Sequence, residues 1–168
     1  MKENIVLIGM PSCGKSTIGV VLAKALGYRF VDSDLVIQER TGRLLSEIIE
    51  EDGIEAFNQL ENQINAELTC IRSVIATGGS VIYGERAMKH LREIGTVVYL
   101  ELPYDVLCER IGDLTARGVS IRENQTFLEL YEERKPLYES YADWKISVEG
   151  LSIREIVHLL KKEISNYE

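Results

Sequence analysis

The sequence predicts an α/β fold in which helices wrap a parallel sheet. Apolar runs of strand length alternate along the chain with amphipathic stretches of helix length, which is the order typical of parallel sheets. The predicted strands are residues 5–8, 29–32, 74–77, 97–100 and 144–148. The predicted helices are residues 15–26, 54–69, 86–94, 105–112, 126–142 and 153–164. Because such sheets bind ligands at the carboxyl ends of their strands, we expect the loops after the first three strands to meet.

The length and composition exclude several classes of protein. The 168 residues, 45% of them hydrophobic, fit one domain spanning residues 1–168 with a substantial core. The net charge of −8 argues against nucleic acid as a partner, since nucleic-acid binding requires basic surface. No signal peptide is recognisable, and no apolar run approaches the ~18 residues of a membrane span. We therefore expect a cytosolic protein that binds neither nucleic acid nor membrane, and we predict that it is a monomer.

The cysteines and histidines do not suggest a zinc site. Cys13, Cys70 and Cys108 are far apart in sequence, and His90 and His158 lie in stretches that otherwise read as helix. Cys13 falls inside a glycine-rich loop where a small residue is needed. We interpret it as a space-filling residue, with oxidation of its thiol as the less favoured alternative.

The first predicted strand runs into a phosphate-binding loop. The stretch GMPSCGKST has Gly9, four residues, then Gly14, Lys15 and Ser16, which is the P-loop spacing. Backbone N–H groups of such a loop surround phosphates, the lysine reaches the β- and γ-phosphates, and the serine hydroxyl ligates Mg²⁺. The predicted nucleotide-binding residues of this loop are Ser12, Cys13, Gly14, Lys15, Ser16 and Thr17. The loop therefore predicts ATP and Mg²⁺ as cofactors.

Two aspartates follow the second predicted strand. Asp32 and Asp34 are two residues apart in FVDSD, so in extended chain both carboxylates would face the phosphate edge. One could hold Mg²⁺ through water, and the other could orient an acceptor hydroxyl or accept its proton. A helix N-cap is the structural alternative for either residue. Beside a P-loop, the functional interpretation is favoured.

Glycines follow the third predicted strand, in ATGGSVI. A tight turn explains Gly78 and Gly79 without any function. The alternative is a flat backbone surface on which a small substrate lies.

Arginines occur in and after a polar, non-periodic segment at residues 113–125, DLTARGVSIRENQ. A loop of that length without regular structure is often functional, and here we expect a mobile lid that brings Arg117 or Arg122 to the transferring phosphate. Beyond it, Arg134 lies in YEERKPLYE among glutamates. Its spacing fits a salt-bridged helix face and an anion-binding arginine equally well.

Taken in order, these stretches resemble the shikimate kinase family over essentially the whole chain. The residues that carry the resemblance are GMPSCGKST, FVDSD, AFNQLE, ATGG and ERKPLY. The resemblance implies a three-layer P-loop NTPase fold of the nucleoside-monophosphate-kinase type, with a five-stranded parallel sheet and a mobile lid. It also implies transfer of the ATP γ-phosphate to the 3-hydroxyl of shikimate, with Mg²⁺.

The resemblance also implies a role for individual residues. Asp34 would contact the acceptor hydroxyl, and Asp32 would lie near Mg²⁺ together with Ser16. Lys15 and the lid residue Arg117 would contact the phosphates, and Arg110 in CERI would lie on the adenine side. The acceptor would be bound by Asp34, Asn58, Gly78, Gly79, Ser80 and Arg134.

Three departures from the family pattern fall on the acceptor side or in the lid. Where the family has an arginine in AFR-x-x-E, this chain has Asn58, which cannot form a charged bidentate contact. Ser80 replaces the third glycine after the third strand, and Arg117 is followed by Gly-Val-Ser rather than Pro-Leu-Leu. Arg122 and Lys135 are candidates to replace the missing charge.

The departures leave alternatives open. A kinase for a different small hydroxylated metabolite would keep the chemistry and change the acceptor. A nucleotide-binding regulatory protein without catalysis is the second alternative. Against it, a protein that only senses ATP has no need of an acceptor-side carboxylate such as Asp34.

Overall fold

A computed structural model of the protein describes residues 2–112 and 118–166, and it contains a five-stranded parallel sheet in the order β2-β3-β1-β4-β5. The strands are β1 Asn4–Ile8, β2 Arg29–Asp32, β3 Ser73–Ala76, β4 Gly95–Glu101 and β5 Trp144–Ser147. The helices are α1 Lys15–Leu26, α2 Ser33–Thr41, α3 Leu45–Asp52, α4 Ile54–Ala66, α5 Glu85–Ile94, α6 Tyr104–Arg110, α7 Phe127–Tyr141 and α8 Ile153–Asn166. A short 3₁₀-helix, Val81–Tyr83, links β3 to α5.

The central strand β1 is buried between two parallel neighbours. All five of its residues are buried, and it pairs with β3 on one side and β4 on the other. A strand covered on both faces reads as a continuous apolar run, which is what NIVLI shows after its first residue. The polar first residue, Asn4, is bonded instead: its side chain donates to the carbonyls of Cys70 and Ile94.

The predicted parallel sheet and its five strands are confirmed, and six helices lie where they were predicted, with ends shifted by up to three residues. Thr77 lies one residue beyond β3, where its backbone N–H and its hydroxyl both donate to the carbonyl of Leu7. That residue begins the turn that leads into the site.

Two helices were missed by the sequence analysis, α2 and α3. Helix α2 buries only Ser33 and Ile37, so its apolar stripe is too narrow to produce a clear helical period. Helix α3 has eight residues and buries Leu45 and Ile48. With Phe57 and Ile64 of α4, the apolar residues of α2 and α3 form a second, smaller core beside the main one. This second core positions α4 beside the ends of β2 and β3.

None of the helices in the described part of the chain is both long enough and apolar enough to cross a membrane.

Candidate active site

A cavity of about 370 Å³ lies where the P-loop, the loops after β2 and β3, and the segment before α7 meet. This convergence confirms the expectation that the loops after the first three strands meet at one edge. The cavity is lined by Pro11, Ser12, Gly14, Lys15, Ser16, Thr17, Asp34, Leu45, Phe57, Glu61, Thr77, Gly78, Gly79, Ser80, Gly118, Val119, Ser120 and Arg134.

The P-loop is shaped by backbone conformations that favour glycine. Gly9 has a φ of 151°, and a side chain there would place its Cβ 2.8 Å from the carbonyl oxygen of Leu100. Ser12 adopts a φ of 67° although it is not glycine, and such conformations concentrate at functional loops. The loop then runs directly into α1, whose N-terminal N–H groups and dipole favour a bound phosphate.

Lys15 is held by the loop that precedes it. Its ammonium donates to the carbonyls of Gly9, 2.8 Å away, and Met10, 2.9 Å away. The side chain is buried, and it lines the cavity. Two carbonyls therefore hold the charge at the cavity wall.

Ser16 and Asp32 form a hydrogen-bonded pair at the N-terminus of α1. The Ser16 hydroxyl donates to Asp32 Oδ2 at 2.9 Å. The other oxygen, Oδ1, accepts from the backbone N–H groups of Asp34 and Leu35, so Asp32 is also the N-cap of α2. Asp32 can therefore cap α2 with one oxygen and take part in a Mg²⁺ site with the other.

The pair also fits Mg²⁺, which usually takes one or two protein oxygens and completes its octahedron with water and phosphate oxygens. A hydroxyl and a carboxylate, 2.9 Å apart at the phosphate-binding helix terminus, are such a donor set. Among residues 2–112 and 118–166 there is no cluster of three or more acidic, histidine or cysteine ligands, so a cage made wholly of protein is not indicated there.

Asp34 reaches the cavity by a different route from the one expected. The chain is not extended after Asp32; it turns into α2, and Asp34 lies in the first turn of that helix. No described residue donates a hydrogen bond to Asp34 Oδ1. Burial, reinforced by the negative charge of Asp32 and opposed by Lys15, raises the pKa of Asp34 to about 6. An acceptor hydroxyl would supply the missing donor.

The two glycines after β3 are packed closely. A Cβ on Gly78 would lie 2.6 Å from both Asp34 Oδ1 and Glu61 Oε2, and one on Gly79 would lie 2.9 Å from Arg134 Nη1. The Gly79 carbonyl accepts a 2.5 Å hydrogen bond from the hydroxyl of Tyr138. The absence of side chains at Gly78 and Gly79 therefore leaves room for the charged groups of Asp34, Glu61 and Arg134. A tight turn without a function would not need this space.

Arg134 is the only arginine in the described ranges with less than 2% of its surface exposed. Its Nη2 donates to the carbonyl and the hydroxyl of Ser120, at 2.9 and 3.1 Å, and its guanidinium lies over the ring of Tyr83. No described residue accepts a hydrogen bond from its Nε. Of the two interpretations of this residue, a solvated helix face is excluded by its burial.

Glu61 is a cavity residue that the sequence analysis missed. It is 1% exposed, lies on α4, and accepts a 2.6 Å hydrogen bond from the Ser80 hydroxyl at Oε1. Burial and the negative charge of Asp34 raise the pKa of Glu61 to about 8, whereas the hydrogen bond from Ser80 acts to lower it. The available signal was its position as the last residue of AFNQLE, three residues after Asn58, on one face of a helix.

Asn58 lies in a narrow crevice beside the cavity rather than on the cavity wall. The crevice shares Ser120 with the cavity and is also lined by Tyr83, Arg122 and Glu133. Asn58 Oδ1 is buried, and no described residue donates to it. Of the two candidates for the missing charge, Arg122 lines this crevice, where it lies 3.5 Å from Glu133.

Lys135, the second candidate, points elsewhere, with its ammonium 3.9 Å from Glu101.

Two predicted nucleotide-side residues lie off the cavity wall, and a third lies outside the residues that the structure describes. The side chain of Cys13 is buried in the main core, which supports the space-filling interpretation. Arg110 is exposed at the end of α6, the helix after β4. Arg117 and the rest of residues 113–117 lie outside the described residues.

The later part of the expected lid is partly packed. Val119 is buried in the main core, and Ser120 is held by Arg134, whereas residues 122–124 are exposed. Within the expected lid, Val119 contributes apolar area to the main core and Ser120 accepts two hydrogen bonds, whereas the mobility of the segment stays a prediction.

Comparisons with known proteins point to one family. The sequence model described as shikimate kinase matches residues 11–165. A shikimate kinase of Clostridium botulinum is 37% identical, with 99% of each chain covered, and one of Thermodesulfovibrio yellowstonii is 39% identical, with 96% of this chain and 94% of that one covered. The solved structure of shikimate kinase from Acinetobacter baumannii in complex with shikimate superposes with a TM-score of 0.85 at 28% identity, covering 99% of this chain and 94% of that one.

Proposed function

The chain belongs to the shikimate kinase family, and from this premise we propose that it transfers the γ-phosphoryl group of ATP to the 3-hydroxyl of shikimate. Kinases of this family are ATP-dependent phosphotransferases with an alcohol acceptor, and they use Mg²⁺. The observation that carries the proposal is that one cavity joins the P-loop to a carboxylate, a glycine backbone and a buried arginine. The first group serves a phosphoryl donor, and the other three serve a hydroxylated acid.

The donor half of the cavity is the P-loop with Lys15. We assign Ser12, Cys13, Gly14, Lys15, Ser16 and Thr17 to nucleotide binding, with Arg110 on the adenine side and Arg117 at the phosphates. Lys15 provides a positive charge where negative charge develops on the transferring group. Because the carbonyls of Gly9 and Met10 already orient that ammonium, it needs little reorganisation when phosphate binds.

Mg²⁺ would be held by Ser16 directly and by Asp32 directly or through water. When bound, it neutralises phosphate charge and orients the phosphate oxygens. Asp32 retains its second oxygen as the cap of α2, so the helix that carries Asp34 is anchored to the same residue. The proposed metal-side carboxylate and acceptor-side carboxylate are therefore two residues apart at the start of α2.

The acceptor half contains the groups that a hydroxylated carboxylic acid needs. Asp34 Oδ1 is positioned to accept the hydrogen bond of the reacting hydroxyl and then its proton. Arg134 offers a planar cation to the acceptor carboxylate. Gly78 and Gly79 allow the backbone to approach the substrate, with Ser80 and Asn58 completing the substrate-binding group.

We further propose one kinase domain at residues 1–168, with residues 113–125 as its lid. Monomeric state, cytoplasmic location and the lack of nucleic-acid or membrane partners stay predictions from the sequence. Sedimentation analysis of the purified protein, with and without ligands, tests the first of these.

The deciding experiment is a coupled ADP-release assay with ATP, Mg²⁺ and a panel of acceptors. The panel holds shikimate, its relatives lacking single hydroxyls, other hydroxy acids and simple sugars. We expect shikimate to give the highest kcat/KM. Release of ADP with a different compound, and none with millimolar shikimate, would assign the chain another acceptor.

A further inference from the structure

Arg134 carries a buried positive charge that has no carboxylate partner within the part of the chain that the structure describes. The residue is 1% exposed. No aspartate or glutamate of residues 2–112 and 118–166 lies within ion-pair distance of it. Burying a cation without an ion-pair partner is costly unless other groups stabilise it. The neighbours of Arg134 must therefore stabilise its charge by contacts of another kind.

Two neighbours from different elements hold the guanidinium of Arg134. Its Nη2 donates to the carbonyl and the hydroxyl of Ser120, at 2.9 and 3.1 Å. Its central carbon lies 5.4 Å from the ring centroid of Tyr83, which is within the range of a cation–π contact. The two hydrogen bonds fix only one nitrogen of the group. The ring of Tyr83 therefore limits how far the rest of the guanidinium can move.

Tyr83 is itself held by a residue of α7. Its hydroxyl donates to Glu133 Oε2 at 2.6 Å, a length typical of a charge-assisted bond between a hydroxyl and a carboxylate. This hydrogen bond is the first of the interactions that lower the pKa of Glu133. The same carboxylate accepts from Gln125 at 3.4 Å and lies 3.5 Å from Arg122. Glu133 thus connects Tyr83 to the end of the expected lid.

Tyr83 lies beside the cavity without forming part of its wall. It is the last residue of the 3₁₀-helix Val81–Tyr83, and it lines the crevice that contains Asn58. Arg134, in contrast, lines the cavity. An effect of Tyr83 on an acceptor in the cavity is therefore expected to pass through Arg134.

We propose that Tyr83 is the positioning residue for Arg134, and that Glu133 orients Tyr83 for this role. The ring face stabilises the guanidinium without bringing a negative charge to it. A carboxylate in the same place would neutralise Arg134 and compete with an anionic ligand. The arrangement therefore favours acceptors that carry a carboxylate. The inference rests on the proposed function, in which Arg134 binds the carboxylate of shikimate.

The first test compares shikimate with its carboxamide, which keeps the hydroxyls and removes the charge. Both ligands are titrated by calorimetry into the wild type and into Tyr83→Leu, which keeps an apolar side chain and removes the ring. We expect Tyr83→Leu to weaken shikimate binding by about tenfold and carboxamide binding by less than about twofold. The KM for ATP should not change.

A residue with only a packing role would give a different result. Tyr83→Leu would then weaken both ligands equally, or lower the melting temperature without changing the binding of either. Each of these results would overturn the proposal. Tyr28→Leu is the matched control, because Arg72 lies over the ring of Tyr28, 5.5 Å from its centroid, just before β2 and away from the cavity. Binding of both ligands to Tyr28→Leu should equal that of the wild type.

The orienting role of Glu133 has its own test, which also serves if Tyr83→Leu does not fold. Tyr83→Phe and Glu133→Ala each remove one side of the hydrogen bond, and each should weaken shikimate binding by about threefold. The double variant should lose no more than either single one, and the carboxamide should bind as before. Glu133→Gln keeps an acceptor oxygen and should restore most of the affinity. Additive losses would mean that the two residues act independently, and the role of Glu133 would be wrong.

ADP release measured beside binding separates this inference from the proposed function. Turnover of shikimate, with equal losses of both ligands in Tyr83→Leu, contradicts only the inference about Tyr83. Binding of shikimate without ADP release counts against the kinase, while the dependence of binding on the ligand's charge still tests Tyr83. If shikimate neither binds nor reacts, both are wrong.

Discussion

The donor half and the acceptor half of the cavity are built in opposite ways. The donor half is built around one continuous stretch of chain, the P-loop, in which Lys15 is hydrogen-bonded to the carbonyls of Gly9 and Met10 and Ser16 to Asp32. The acceptor half brings together side chains from α2, α4, α7 and the loop after β3. Polar atoms of Asp34, Glu61 and Arg134 in it have no hydrogen-bond partner among the described residues.

This difference indicates how each half contributes to binding. A buried polar atom without a partner costs about 1–3 kcal/mol, and a ligand that bonds to it recovers that cost. The acceptor half therefore discriminates strongly between ligands that match its polar atoms and ligands that do not. In the donor half, groups that are oriented in advance can stabilise the charge of the transferring phosphate with little reorganisation.

Removing the P-loop ammonium tests the donor half and should have the largest effect. Lys15→Ala should lower kcat by roughly 10² or more, because the charge on the transferring phosphate loses its main contact with the protein. The protein should stay folded, as judged by circular dichroism. Lys24→Ala, an exposed lysine on the same helix, is the matched control and should leave kcat unchanged. Near-normal turnover by folded Lys15→Ala would contradict the kinase assignment.

Filling the space above Gly78 tests the acceptor half. A Cβ there would come within 2.6 Å of Asp34 Oδ1 and Glu61 Oε2, so both groups must shift in Gly78→Ala. We expect the KM for shikimate to rise about tenfold or more, which corresponds to ~1.4 kcal/mol, while the KM for ATP changes little. Gly112→Ala, where a Cβ meets nothing within 4 Å, is the control. Equal losses for both substrates would mean that the two halves are not separable.

Adding charge beside the acceptor half sharpens the comparison. Asn58→Arg introduces a guanidinium into the crevice that shares Ser120 with the cavity. If the acceptor carries a carboxylate, its KM should fall about tenfold, for a gain of ~1.4 kcal/mol. If the true acceptor lacks a carboxylate, the added charge is unpaired and binding should weaken. The measurement is kcat/KM for shikimate beside that for the next-best compound of the panel.

The smallest effect is expected in the segment that covers the acceptor half. The exposed residues 122–124 should exchange their amide hydrogens quickly without ligands, and more slowly with an ATP analogue and shikimate together. Residues 119 and 120 are buried and should be slower already in the free protein. Hydrogen exchange followed by mass spectrometry resolves the two parts. Identical exchange with and without ligands would mean that the segment is not a lid.

The parts of the site that could be predicted are those made by neighbours in sequence. The P-loop places Gly9, Gly14, Lys15 and Ser16 by local backbone geometry, so their spacing alone indicates a phosphate site. Alternating apolar runs similarly predict a buried parallel sheet, and a parallel sheet gathers its loops at one edge. These inferences need no knowledge of how distant segments pack.

Helices α2 and α3 were missed because their helical state is stabilised by a second core with α4, and short helices with narrow apolar stripes carry little signal of their own. Asp34 was placed on extended chain, whereas the cap formed by Asp32 starts a helix there.

The phosphate donor follows from the sequence, because consecutive residues form the binding loop through their own backbone. The acceptor side does not: packing of distant segments buries Glu61 beside Asp34, bonds it to Ser80 and places Asn58 in a neighbouring crevice. The ionisation and direction of a side chain depend on its burial and on partners from distant segments. The spacing of residues along the chain gives neither the burial nor the partners.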